Sequence, residues 1–125
     1  MSAHTLNSFS KESIDEAVKM GYEIIDELNI QVISTDNLIR NFISVRDVSF
    51  LSIDVEGMDF AILKSWDFKL SIPYVICIET IKFSSGSKRI DYNEIINFME
   101  EKGYFVYADT YINTIFVNKK KYMDK

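Results

Sequence analysis

Apolar positions along this chain change their spacing several times, and each change predicts an element. After Ser10, the run "KESIDEAVKMG" sets Ile14, Ala17 and Val18 at helical spacing, with Ser10 and Ser13 available as caps and Gly21 as a stop. The following "YEIIDELNIQVIS" alternates in part, which predicts extended chain. Ser34 or Thr35 then caps a short helix through "DNLIRNFI". "VSFLSIDV" is dense in β-branched and aromatic residues and predicts a strand. Past Gly57 the spacing of Phe60, Ile62, Leu63 and Trp66 is helical again. "PYVICIET" is a continuous apolar run, the pattern of a strand buried on both faces in a parallel sheet. A polar loop, "FSSGSKR", leads to "DYNEIINFMEEKG", whose Ile95, Ile96, Phe98 and Met99 predict a helix stopped by Gly103. "YFVYADT" and "NTIFVNK" lie close enough to pair antiparallel. From "VSFLSIDV" onward the order β-α-β-α-β-β predicts an α/β layer protein, with parallel strands ending in an antiparallel hairpin.

Composition narrows this picture. A chain of 125 residues, 47% hydrophobic and 14% aromatic, builds one core, so one domain or part of one is expected. Nineteen acidic against fourteen basic residues give a net charge of −5, which repels nucleic acid and anionic membrane surfaces. The basic run "NKKKY" reads as a solvated tail. Cys77, the only cysteine, lies inside "YVICIE" and reads as a buried apolar side chain. No segment has membrane-spanning length, and "MSAHTLNSFSKES" lacks the basic start and apolar centre of a signal peptide, so a soluble, cytoplasmic protein is expected. Met20, Met58 and Met99 read as core filler, and the aromatic residues of the terminal hairpin as core and cross-strand pairs.

The candidate chemistry sits where strands end. In an open parallel sheet the ligand crevice lies beyond the carboxyl ends of the strands. Asp54 and Glu56 fall at one such end, Glu79 and Thr80 at the next, and Gly57 lets the backbone turn sharply. Three carboxylates gathered there bind a cation, accept from ligand hydroxyl or amine groups, or act as a general base. The competing structural reading is that Asp54 and Glu56 only cap the following helix and favour its dipole. Gly21, Gly57, Gly86 and Gly103 are too scattered to build a glycine-rich phosphate cradle. His4, the only histidine, lies near the terminus, which argues against a histidine-based metal site or a serine-histidine triad. No metal site is therefore expected, and a small metal-dependent hydrolase using Asp54, Glu56 and Glu79 is the third of three readings weighed.

"VSFLSIDVEGMDFAILKSWDF", followed by "PYVICIET" and ending in "GYFVYADTYINTIFV", resembles the C-terminal half of FkbM-type methyltransferases, and "LNSFSKE" and "VISTDNLIRNF" resemble the segment that precedes it. The resemblance implies the C-terminal part of a class I (Rossmann-like) methyltransferase sheet, with residues 1–47 forming an upstream helix, extended segment and short helix, and residues 48–125 the sheet core of a single partial domain. It implies S-adenosylmethionine as cofactor and methylation of a hydroxyl on a sugar or other small molecule. The glycine-rich turn and the acidic residue that hold this cofactor in such folds have no counterpart here. Carried over by position, Asp54 and Glu56 match the catalytic acidic pair, while Gly57, Glu79 and Asn113 match substrate or cofactor pocket positions. The alternative is a non-catalytic remnant, an interaction module or half of a split enzyme. A bare edge on the strand 48–54 is a hazard, so a homodimer, a partner carrying the N-terminal half, or "YEIIDELNIQVIS" folding back is expected to cover it.

Overall fold

A computed structural model of the chain describes residues 11–43, 48–55, 57–81, 89 and 91–124. Ser10, His4 and Glu56 lie outside the described residues. Helix α1 spans Lys11–Lys19, with Glu12 in its first turn and Lys19 in its last, each complementing the helix dipole. It ends as expected near Gly21, whose φ of +92° suits a residue without a Cβ. Helix α2, Thr35–Leu38, begins where the sequence predicts: the Ser34 hydroxyl accepts from the Asn37 N–H at 3.2 Å. It runs on into a π-helical turn, Ile39–Ile43, which buries Ile39. The Thr35 hydroxyl donates to the Ser65 carbonyl at 2.8 Å and so fastens this region to the next helix.

The sheet has four strands in the order β1-β2-β4-β3. Strand β1, Phe50–Ile53, runs parallel to β2, Val75–Glu79. Strand β4, Asn113–Asn118, lies antiparallel between β2 and β3, Tyr104–Asp109, with a bulge between Val106 and Ala108. Helix α3, Asp59–Ser65, connects β1 to β2, and helix α4, Tyr92–Glu101, connects β2 to β3. The chain is thus a mixed α/β protein with a parallel pair and an antiparallel hairpin, as its periodicity predicts. Ile53, Ile76, Ile78 and Phe116 from the strands meet Leu63 of α3 and Ile95 and Met99 of α4 in one buried cluster. Tyr104 completes the cluster and donates its hydroxyl to the Pro73 carbonyl at 2.6 Å, so its ring is buried without an orphaned polar tip.

Several expectations need correction. The run "PYVICIET" is not buried on both faces: Ile76 and Ile78 face the core, whereas Val75, Cys77 and Glu79 alternate onto a half-exposed face. Cys77 is accordingly half-buried. Strand residues point to opposite faces in turn, and both helices that join the core cluster cover the same face. Of the three methionines read as core, Met99 is buried, but Met20 and Met58 are exposed. The hairpin aromatics divide likewise, Tyr104 and Phe116 being core and Tyr107 exposed. Lys119, Lys120 and Tyr122 of "NKKKY" are exposed, in keeping with a solvated run, but the segment is helical. It forms most of helix α5, Lys119–Met123, capped by the Asn118 side chain, which accepts from the Lys121 N–H at 3.0 Å. The segment "YEIIDELNIQVIS", expected to be extended, belongs to no helix or strand and is not a member of the sheet among the described residues. Among the described residues, no helix is long and apolar enough to cross a membrane.

Candidate functional site

Because β1 and β2 are parallel, both end on one side of the sheet, and the antiparallel β4 begins there. Asp54 follows β1 directly and is exposed, and Glu79 is the last, half-buried residue of β2. Asn113, the first residue of β4, stands opposite Glu79 in the register. Gly57 occupies the turn between β1 and α3 with φ at +97°, a backbone conformation that side-chain-bearing residues adopt only with strain. A Cβ added there would lie 3.4 Å from the Ser13 hydroxyl of α1, so α1 closes on this turn.

Asp59, at the start of α3, organises the turn. Its carboxylate accepts from the Val55 N–H at 3.3 Å and from the Gly57 N–H at 3.2 Å. Only 6% of the residue is exposed. Burial pushes its pKa up, the N–H donors oppose that rise, and the nearby Asp54 charge adds to it. Carboxylate oxygens of Asp54, Asp59 and Glu79 all lie within 4.8 Å of one another. This arrangement offers oxygen ligands to a cation and acceptors to hydroxyl or ammonium groups. Asp54 and Glu79 are therefore brought together as the sequence predicts, with Asp59 as the third carboxylate. Nothing in the apolar spacing singled out Asp59. The available signal was an acid in the first turn of a helix following a glycine.

A cleft opens beside this cluster, lined by Gly57, Asp59, Phe60, Glu79, Thr80 and Ile81, with Asp91 and Ile95 forming its α4 side. Thr80 forms its floor: its N–H donates to the Ile112 carbonyl at 2.8 Å and its hydroxyl lies 2.9 Å from that of Thr114. Asn113 does not line this cleft. Its N–H donates to the Thr110 hydroxyl at 3.0 Å and its carbonyl accepts from the Thr110 N–H at 2.9 Å, which closes the hairpin turn. Cys77 lies on the open face, where burial first and the Asp54 charge second push its thiol pKa up, away from the reactive thiolate.

A second polar group stands at the rim and was not anticipated. The Arg89 guanidinium forms a two-pronged pair with the Asp109 carboxylate, donating to Oδ2 at 2.7 Å and also meeting Oδ1. It further donates to the Tyr111 carbonyl at 2.9 Å and lies over the rings of Tyr92 and Tyr111, 4.2 and 4.5 Å from their centroids. The Tyr92 hydroxyl donates to Asp109 at 2.8 Å. Arg89, above all, holds the Asp109 carboxyl well below the usual carboxylate range. These contacts tie the tip of the β3–β4 hairpin, where Tyr111 has φ at +72°, to the residues leading into α4.

In comparison with known proteins, a family model described as the methyltransferase FkbM domain aligns with residues 2–106. No curated protein and no solved structure matches the chain.

Proposed function

The chain belongs to the FkbM methyltransferase domain family, and from that premise we propose that the cleft at the ends of β1 and β2 serves S-adenosylmethionine-dependent methyl transfer to a hydroxyl of a small molecule or sugar. The observation that carries this reading is the convergence of Asp54 and Glu79, from neighbouring parallel strands, with Asp59 beneath them.

The donor set suits the cofactor's chemistry. A cluster of carboxylates in a partly desolvated cleft favours cationic and hydroxyl-bearing groups, and the positive-φ turn at Gly57 keeps a side chain off the mouth of the cleft. Asp54 and Glu79 would accept from its amine and ribose hydroxyls. When bound, the cofactor supplies an electrophilic methyl group. The protein's share is then positioning and proton handling. Exposed Asp54 accepts the proton of the acceptor hydroxyl as its oxygen becomes nucleophilic. Asp59 keeps its two backbone N–H partners and holds the turn in place, and Glu79 orients the hydroxyl-bearing groups. Glu56 matches the family's acidic pair by sequence and is assigned with Asp54 on that ground alone.

A second reading is favoured by the open edge of β1: a binding half that works only with a complementary polypeptide supplying the glycine-rich turn. Calorimetric titration of S-adenosylmethionine, and of S-adenosylhomocysteine beside it, into the folded chain separates the two. Micromolar binding that weakens about tenfold or more in Asp54→Asn supports the first, the loss expected when a charged acceptor is removed. Failure of a folded chain to bind either compound moves the assignment to the second.

A further inference from the structure

Residues 22–33 carry a run of apolar side chains that find no place in the core. Among the described residues, positions 23–33 make no backbone-to-backbone hydrogen bond and belong to no helix or strand. Their apolar side chains face solvent: Ile25 is 83% exposed, Leu28 75% and Val32 85%. Strand β1 has the complementary deficit. It stands at the edge of the sheet, paired through one side with β2. Alternate residues of such a parallel strand direct both backbone groups outward. Phe50, on its half-open face, is 59% exposed. Among the described residues, an unpaired segment and an unpaired strand edge therefore occur on one polypeptide, with no backbone hydrogen bond between them.

We propose that the chain self-associates by reciprocal strand exchange, residues 29–33 of each copy adding to the outer edge of β1 in the other. A two-fold arrangement satisfies both deficits in both copies at once. Charge selects the occupant and its direction. "NIQVI" and "FLSI" carry no charge, within a chain whose net charge is −5. Antiparallel addition would carry Asp26 and Glu27 past the end of β1 to the cluster of Asp54, Asp59 and Glu79, where like charges repel. Parallel addition carries them to the opposite end of β1. The added strand is therefore parallel, with Ile30 and Val32 on one face of the enlarged sheet beside Phe50. This inference is independent of the methyl-transfer reading and stands or falls on mass and backbone protection.

The test is size-exclusion chromatography with light scattering on the full chain at micromolar concentration, joined to hydrogen exchange. The expected mass is twice the 14.6 kDa of one chain. Val32→Lys and Ile30→Pro each return the single-chain mass with an unchanged helical signal in circular dichroism, because both positions are exposed in the single chain and lie outside its helices. Amides at 30–32 and in β1 exchange slowly in the parent protein and quickly in Ile30→Pro. A single-chain mass for the parent overturns the proposal. So does a two-chain mass that survives both substitutions, or protection of 30–32 that appears only when a different polypeptide is added.

Discussion

Residues 104–118 and residues 22–33 are both rich in apolar and β-branched side chains, yet they end in opposite conditions. In the hairpin, β4 is bonded on both edges, and Tyr104, Thr114 and Phe116 have no exposed surface. In residues 22–33 the side chains of the same kinds stand in water, and among the described residues positions 23–33 make no backbone-to-backbone hydrogen bond. The difference lies in neighbours rather than in composition. Strand β4 finds β2 on one side and β3 on the other, so every apolar residue it contributes meets a partner already ordered. The earlier segment is flanked by α1 and α2, and no strand pairs with it among the described residues. Apolar content thus gives a segment the capacity to be a strand, and only an available edge realises it.

The contrast can be tested by substitution. Phe116→Ala, at the centre of the hairpin core, is expected to lower the unfolding free energy by about 3–5 kcal/mol in denaturant titration. Tyr104→Phe leaves the ring in place but orphans the Pro73 carbonyl, and about 2 kcal/mol of loss is expected by the same method. The Arg89–Asp109 pair makes a smaller contribution with a definite pH dependence. The Asp109 pKa is held below its unfolded value, so its contribution is present above the ordinary carboxylate pKa of about 4 and is lost as pH falls below it. Thermal melts should show Asp109→Asn less stable by about 1 kcal/mol or less at neutral pH, with part of the acid-induced loss abolished. Asp59, whose pKa is raised, has the opposite sign: its contribution is lost as pH rises past the ordinary carboxylate range. At the other extreme, Leu28→Ala should shift stability by no more than about 0.5 kcal/mol, since the side chain leaves water for nothing in the single chain. A large loss there would show that residues 22–33 contribute to the folded single chain as the hairpin does.

The order of helices and strands after residue 48 was legible because each switch between spacing of two and of three to four residues falls at a real boundary: Ile62 and Leu63 on α3, Ile95 and Met99 on α4, and the alternation in "NTIFVN". Ser34 was legible as a cap for a local reason, since its partner Asn37 is three residues away. What depended on distant packing was not. A continuous apolar run such as "VICIE" does not state how many layers cover it, so the half-open face bearing Val75 and Cys77 was missed. The convergence of Asp54 with Glu79 followed from parallel pairing, but the buried role of Asp59 depends on backbone donors turned toward it by Gly57. The pairing of Arg89 with Asp109 joins residues from either side of α4, and no spacing rule marks such a pair.

The position of β4 also governs how the protein can be made. Among the described strands it is synthesised last, yet it sits between β2 and β3. While a ribosome is still extending the chain, β2 can pair only with β1, and β3 has no partner at all. Ile76 and Ile78 then line an unpaired edge until Asn113–Asn118 emerges. These four strands therefore close into one sheet only once β4 has emerged, and the interval before that is when this part of the polypeptide most needs protection from aggregation.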